Sequence, residues 1–268
     1  ATVAQNVRYY LCLSLARKRD PRMLQEVQKI KGPDHSFLLG FYYRLQSRYD
    51  DAIKHLKNCV NSPIVASRAK RELVQVYLSI EDWDAASTLA QANYEENRRN
   101  PYHIQAYIKT IVNSRKASEN RDLLQRLIEE LGSVRSDVAI QMADIARAEM
   151  LATCDGNYSA AFDAIEDAIQ KYPGNHYPLL VKAFMAARSV DAERLRSAYD
   201  RLVLANKDRT ISETSLVRLK SYLFAISGDL GQAIAWAESI LRRCPDYARA
   251  SFHEKLRELH AQGKAKAP

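Results

Sequence analysis

The sequence predicts an all-α solenoid of consecutive antiparallel helix pairs, and three observations support this prediction. Glycine and proline are scarce, at eight each in 268 residues, whereas a sheet protein of this length usually needs more turn residues. Small, aliphatic and aromatic residues recur at intervals of about 34 residues. Pro33, Pro101 and Pro178 stand near predicted helix starts, where the missing N–H costs little.

The clearest repeat unit begins at Pro33 and has small residues where two helices would cross, with larger residues between them. In chain order these are Leu39, Gly40, Tyr43, Ala52, Leu56 and Pro63. Glycine and alanine let two helix backbones approach closely, while the larger side chains fill the space between successive pairs. Similar units follow from Ser67, with Leu73 and Tyr77, and from Pro101.

The later part of the chain continues the pattern after an interruption. An insertion at 131–138 is expected to reset the register, and units then begin near Met142, His176 and Thr214. An end repeat must face water, so atypical flanking units are expected. The predicted parts of the single solenoid are a degenerate first hairpin (1–32), a first run of repeats (33–131), a second run (132–247), a capping helix (248–262) and a basic tail (263–268).

The order Leu39-Gly40, Tyr43, Ala52, Leu56 resembles the tetratricopeptide repeat pattern L-G-x2-Y…A-x3-F…P, with Pro63 one place early. The resemblance extends over nearly the whole chain and rests on repetition in one register, because each single motif is degenerate. It implies a right-handed superhelix of about 13–15 helices, in which the first helix of each pair lines a concave wall. Proteins of this superfamily generally bind extended peptides or helices on that wall.

The resemblance also indicates which side chains face the concave wall in the first run. They form a polar, positive and amide-rich stripe of Arg44, Arg68, Arg71, Gln75, Tyr102, Gln105, Lys109 and Asn113. Amides bond a partner backbone whatever its sequence, and arginine binds carboxylates through two donors. The stripe is therefore expected to hold an acidic or extended peptide segment or a chain terminus. The alternative is that these are ordinary solvent-facing polar residues.

Two features narrow the kind of partner. Superfamily members that bind chaperone tails use a Lys and an Asn one helical turn apart, whereas the matching places here hold Arg71 and Gln75, so chaperone-tail binding is not predicted. The second run has a more apolar inner wall, which would either receive a partner helix or, as we expect, pack internally or against the C-terminal helix. Its inward residues are Ala143, Ala146, Met150, Tyr177, Leu180, Phe184, Arg218 and Tyr222.

The sequence favours a non-catalytic protein-interaction scaffold or partner-sensing module, and the absence of an initial Met suggests a segment of a larger protein. Two alternatives stay open. The net charge of +8 is concentrated at the ends, with +6 in residues 1–66 and +4 in residues 214–268, which suits a helical-repeat nucleic-acid-binding protein. A homodimer or assembly subunit that associates through its terminal hairpin is the other alternative.

Motifs for catalysis, metals and membranes are not found in the sequence. It has no HExxH, GxxxxGK[ST], GxGxxG or GxSxG, so no catalytic residue, metal or cofactor is expected. The four cysteines form no CxxC pair, which favours reduced thiols in the cytoplasm. No apolar run approaches the roughly 20 residues that cross a bilayer, so no membrane partner is expected.

Overall fold

The structure is a computed structural model that describes residues 3–114, 116–206 and 211–266. In this part of the chain it has fifteen α-helices, a short 3₁₀ turn at Ser118–Asn120 and no strand. The predicted all-α class is confirmed. The helices are α1 (Val3–Arg17), α2 (Met23–Val27), α3 (Pro33–Leu45), α4 (Tyr49–Lys57), α5 (Ala66–Ile80), α6 (Trp83–Glu96), α7 (Pro101–Asn113), α8 (Arg121–Ser133), α9 (Asp137–Thr153), α10 (Tyr158–Lys171), α11 (Tyr177–Arg188), α12 (Ala192–Ala205), α13 (Glu213–Ile226), α14 (Leu230–Leu241) and α15 (Asp246–Lys266).

The helices form two compact units. Unit 1 holds the described residues up to Asn93 together with Arg243–Ala248, and unit 2 holds the described residues of Tyr94–Arg242 and Arg249–Pro268. Consecutive helices with short connections pack as the pairs α1/α2 and α3/α4 in unit 1. Unit 2 contains the pairs α7/α8, α9/α10, α11/α12 and α13/α14. Successive first helices also contact each other, as α3 does with α1 and α5.

Local sequence explains where the helices begin. Pro33 and Pro101 lie in the first turns of α3 and α7, as expected. In several helices a backbone N–H of the first turn donates to a side-chain oxygen of the residue that precedes the helix, which satisfies a donor that has no partner inside the helix. These capping residues are Asn100, Asn157, Asp191, Ser212 and Asp229.

Small residues set the distance between helices, as the repeat pattern predicts. A Cβ added at Gly40 of α3 would lie 2.6 Å from Cγ of Leu56 on α4, so only glycine allows this approach. The alanines predicted at other crossings have no exposed surface; they are Ala52, Ala86, Ala161 and Ala233. Close helix packing in both units therefore follows from residues that the sequence pattern identifies.

Unit 1 includes a segment from the far end of the chain, Arg243–Ala248. The backbone N–H of Tyr49 donates to the carbonyl oxygen of Arg243 over 3.0 Å. The Arg243 guanidinium donates to the carbonyl oxygen of Gln46 over 3.3 Å. The Tyr247 hydroxyl donates to the Asp82 carboxylate over 2.9 Å. These contacts join residues far apart in sequence, and the repeat pattern alone does not predict them.

Two elements have bounds that differ from those expected from the repeat pattern. The segment 131–138, expected to be an insertion that resets the register, comprises the end of α8 at Ser133, a short connection and the start of α9 at Asp137. Leu131 is buried and continues the apolar face of α8, so Gly132 does not end the helix. The final helix begins at Asp246 and runs to Lys266 rather than from 248 to 262, and thus includes most of the predicted tail. Residues 267 and 268 of that tail lie outside the described residues.

Candidate partner-binding surface

In unit 1 the predicted binding residues lie on the two packed first helices α3 and α5. Arg44 is in the last turn of α3, while Arg68, Arg71 and Gln75 follow one face of α5 at spacings of three and four residues. We call this surface, formed by Arg44, Arg68, Arg71 and Gln75, the α3–α5 face. All four side chains are half-buried or partly exposed rather than fully solvated.

A buried carboxylate at the α3–α5 face is shared by two arginines. Oε2 of Glu72 lies 2.6 Å from Nε of Arg44, and Oε1 lies 3.8 Å from Nε of Arg71. Glu72 is only 6% exposed, so its charge is compensated inside the fold rather than by water. The Arg44 guanidinium also lies 5.3 Å from the centre of the Phe41 ring. One negative charge therefore orients two positive ones, and a positive excess remains.

Arg68 is held by aromatic rings. Its guanidinium donates a hydrogen bond to the Tyr9 hydroxyl and lies 5.3 and 5.4 Å from the centres of the Tyr9 and Phe37 rings. An Asp34 carboxylate oxygen lies 4.0 Å away. Burial raises the pKa of Tyr9, and the neighbouring Arg68 charge opposes that rise. The Arg68 side chain keeps 39% of its surface exposed, so it is both oriented and accessible.

In unit 2 the predicted binding residues follow one face of α7, at spacings of three and four residues. We call this surface, formed by Tyr102, Gln105, Lys109 and Asn113, the α7 face. Tyr102 is exposed, and Gln105 is half-buried. The Asn113 amide nitrogen donates to the Lys109 carbonyl oxygen over 2.8 Å, so part of that side chain is used within the helix.

Lys109 belongs to a cluster of charges that the sequence analysis missed. Its ammonium lies 4.2 Å from the centre of the Tyr177 ring. Glu149 of α9 is buried, and its Oε1 lies 3.9 Å from the Arg188 guanidinium of α11. Burial raises the pKa of Glu149, while the charges of Arg188 and Lys109 oppose the rise. Burial likewise lowers the pKa of Lys109, with Glu149 opposing that fall.

The sequence contains a signal for this cluster. Glu149 follows Ala146 and Ala148 in the alanine-rich α9, and an acidic side chain on a small-residue helix that packs closely must find a positive partner. Glu72 gives no comparable signal in the sequence, because the predicted stripe residues on either side of it, Arg71 and Gln75, are positive or polar. The inner surface of unit 2 is therefore less apolar than expected.

The aromatic residues of unit 2 pack against one another, as expected. Phe184 meets Tyr222 edge to face at 6.4 Å, and Tyr222 stacks on Phe252 of α15 at 5.5 Å. The Arg218 guanidinium lies 5.7 and 5.8 Å from the centres of the Phe184 and Phe252 rings. The final helix thus covers these side chains, which confirms the prediction that they pack internally and against the C-terminal helix.

Within the part of the chain that the structure describes, no group of three or more His, Cys, Asp or Glu side chains is arranged to hold a metal ion. None of the described helices combines the length and the apolar character needed to cross a membrane.

Comparison with known proteins identifies the fold. The sequence matches no protein-family model and no curated protein. The structure is similar to a Rap protein complexed with Competence and Sporulation Factor, with a TM-score of 0.62 and 16% identity over 93% of this chain and 82% of the other. It is also similar to a tetratricopeptide repeat protein from Parabacteroides merdae ATCC 43184, with a TM-score of 0.57 and 11% identity over 98% of this chain and 100% of the other. The fold of this chain is therefore that of the tetratricopeptide repeat proteins.

Proposed function

We propose that the chain is a protein-interaction module whose α3–α5 face binds an acidic, extended segment of another protein. The observation that carries the proposal is the Glu72 carboxylate, which holds Arg44 at 2.6 Å and Arg71 at 3.8 Å. This arrangement places oriented guanidinium groups on a partly exposed surface, and such groups bind carboxylates in planar, two-donor geometry.

The positive excess at the α3–α5 face favours an anionic partner. Each guanidinium has five N–H donors, so one carboxylate leaves most of the donors of Arg44 and Arg71 available. Arg68 adds a third guanidinium that rings and a hydroxyl already orient. Because contacts within the fold already restrict Arg44 and Arg68, these two side chains lose less conformational entropy when a partner is bound.

An extended partner is favoured over a compact one because amide side chains can bond to its backbone. Gln75 lies one turn beyond Arg71 on the same face of α5 and offers both a donor and an acceptor. In unit 2 the proposal extends separately to the α7 face. There Tyr102 offers an exposed ring, Gln105 an amide and Asn113 an amide oxygen. The Lys109 ammonium is already packed against the Tyr177 ring, so it would act on a partner only through its charge.

The fold is compatible with this proposal. One structure with the same fold, the Rap protein, is in complex with Competence and Sporulation Factor. A role as an adaptor and a cytoplasmic location stay predictions, as does the homodimer.

Fluorescence anisotropy on the whole chain tests the proposal. The probe is a short labelled peptide of alternating glutamate and serine, and its twin has glutamine in place of glutamate. We expect saturable binding of the glutamate peptide, at least about tenfold weaker binding of the glutamine twin, and a loss of about threefold to tenfold in Arg71→Gln. Lys54→Gln on α4, an exposed charge in the same unit, is the matched control and should not change affinity.

Three results would count against the proposal. These are no saturable binding by a chain whose helical circular dichroism is intact, equal binding of both peptides, or equal effects of Arg71→Gln and Lys54→Gln. A titration with single-stranded RNA distinguishes the nucleic-acid alternative. RNA binding that weakens steeply with salt, and that Arg71→Gln reduces, would favour that alternative over a protein partner.

A further inference from the structure

Helix α1 in unit 1 has apolar residues on two opposite faces. One face packs against its neighbours α2 and α3 and contains the buried residues Cys12, Leu15 and Ala16. The opposite face is solvated and contains Val3, Val7, Tyr10 and Leu11, which are 81%, 64%, 69% and 44% exposed. We call these four residues the α1 stripe.

The α1 stripe is contiguous. Its members are separated by four, three and one residues, which places them within a band about 100° wide on one side of the helix. Exposed apolar residues are ordinary when they are scattered, but a continuous apolar band on one helix face is typical of an interaction surface. Helix α3, by comparison, is packed by first helices on both sides, since it contacts α1 and α5.

The surroundings of the α1 stripe are strongly basic. Residues 3–32 contain seven Arg or Lys and two acidic residues. Both acids are already paired. Oδ2 of Asp20 lies 2.7 Å from a guanidinium nitrogen of Arg22, and Oε1 of Glu26 lies 2.6 Å from Nζ of Lys29. The local excess of positive charge is therefore not neutralised by these two carboxylates.

Two of the basic residues stand at the end of the α1 stripe. Arg17 is the last residue of α1, Lys18 follows it directly, and both are exposed. Neither forms an ion pair with a carboxylate in the part of the chain that the structure describes. A partner that lies along the α1 stripe would therefore contact the apolar band and, at the C-terminal end of α1, the positive charges of Arg17 and Lys18.

We propose that the α1 stripe binds an amphipathic helix from another protein whose apolar face is flanked by acidic residues. The apolar residues of such a helix would cover the α1 stripe, and its carboxylates would meet Arg17 and Lys18. A second copy of this chain fits less well, because the α1 stripe of that copy ends in the same positive residues, and the like charges would repel each other. The α1 stripe shares no residue with the α3–α5 face, so the inference does not depend on the proposed function.

An anionic membrane surface is the other partner that basic and apolar residues together can suit. The geometry favours a protein helix, since the opposite face of α1 is packed in the hairpin and only four side chains are available for insertion. The membrane is therefore an outcome of the test rather than the proposal.

The test uses the whole chain and a labelled synthetic helix with leucines on one face and glutamates beside them. We expect saturable binding in fluorescence anisotropy, with at least about tenfold lower affinity in the double variant Val7→Ser/Tyr10→Ser and about threefold lower in Arg17→Gln/Lys18→Gln. Leu204→Ser on α12 removes an equally exposed apolar side chain and should leave the affinity unchanged. Arg71→Gln should also leave it unchanged, which separates this site from the α3–α5 face.

The proposal is overturned by any of five results. The glutamate helix does not bind a correctly folded chain, or a twin helix with lysines binds equally well. Leu204→Ser weakens binding as much as Val7→Ser/Tyr10→Ser does. Sedimentation shows that the chain self-associates through the α1 stripe, so that the double variant becomes monomeric. Vesicles containing phosphatidylserine bind the chain through the α1 stripe, while the glutamate helix does not.

Discussion

The Glu72 carboxylate on α5 lies 2.6 Å from Nε of Arg44 on α3, so a buried ion pair joins two successive first helices of unit 1. Nε of Arg71, the preceding residue of α5, lies 3.8 Å from the other oxygen of the same carboxylate. This ion pair has two roles. It stabilises the packing of α3 against α5, and it fixes the positions of the guanidinium groups that the proposed partner would contact.

Replacing Glu72 by glutamine should destabilise the protein. The change keeps the side-chain volume but leaves the Arg44 charge without its buried partner, and we expect the free energy of unfolding to fall by about 2 kcal/mol. Urea denaturation measures this. The double variant Arg44→Met/Glu72→Leu should recover much of the loss, because no uncompensated charge remains. Equal losses in the single and double variants would show that the pair does not stabilise the fold in this way.

Gly40 and Gly132 should respond oppositely to alanine. A Cβ at Gly40 would lie 2.6 Å from Cγ of Leu56 and 3.2 Å from its backbone nitrogen, so Gly40→Ala should cost about 1–3 kcal/mol through displacement of α4. A Cβ at Gly132 would lie 3.6 Å from Cβ of Ala143, an ordinary contact, and Gly132→Ala should gain about 0.5–1 kcal/mol. Thermal unfolding compares them, and similar shifts in both variants would contradict the assigned spacing.

The contrast between these glycines shows how much of the fold could be predicted from the sequence. Gly40, Ala52 and Ala161 mark helix crossings because a small residue at a repeated interval has a direct packing consequence. Gly132 follows no such rule, because it lies within α8, where the neighbouring Leu131 continues the buried face of the helix.

Asp144 of α9 should stabilise unit 2 in a pH-dependent way. Its carboxylate accepts hydrogen bonds from Lys171 at 2.8 Å and Tyr172 at 2.6 Å. Burial raises the pKa of Asp144, but these two hydrogen bonds and the charge of Arg147 outweigh that effect, so the pKa lies below its usual value of 3.8.

Because the folded-state pKa of Asp144 is lowered, its contribution is present above about pH 4 and is lost as the pH falls through the folded pKa. We expect Asp144→Asn to reduce the free energy of unfolding by about 1–2 kcal/mol at pH 7. The difference from the unmodified protein should shrink below pH 3.8. Urea titrations at several pH values measure it, with Asp163→Asn on α10 as a control. A difference that stays constant into acid would refute the assignment.

The Tyr247–Asp82 hydrogen bond in unit 1 should stabilise the packing of the Arg243–Ala248 segment. Tyr247→Phe removes a 2.9 Å bond that is partly exposed, so a loss of about 0.5–1 kcal/mol is expected near neutral pH. Burial and the hydrogen bond to Asp82 raise the pKa of Tyr247 above 10.0. The extra stability of the unmodified protein over Tyr247→Phe is therefore fully present below pH 10.0, and it declines as the pH rises through the raised pKa of Tyr247.

Denaturation at neutral and alkaline pH checks this prediction, with Tyr10→Phe on the exposed side of α1 as a control. Equal stability of Tyr247→Phe and the unmodified protein at neutral pH would show that the hydrogen bond contributes nothing.

The candidate site was only partly predictable. The helix faces that hold Arg68, Arg71 and Gln75 follow from the spacing of residues on α5. The role of Glu72 does not, because it depends on which side chain of α3 lies opposite, and a single sequence does not state that. The Lys109, Glu149 and Arg188 cluster was missed for the same reason, since it joins three helices that are distant in the chain.

The most direct test of the proposed function is a charge swap at Arg71, measured by fluorescence anisotropy. Arg71→Glu places a negative charge on the α3–α5 face, so binding of the glutamate–serine peptide should fall by at least about tenfold. A lysine–serine peptide of the same length should bind Arg71→Glu more tightly than it binds the unmodified protein. If Arg71→Glu binds both peptides as the unmodified protein does, the α3–α5 face is not the binding surface.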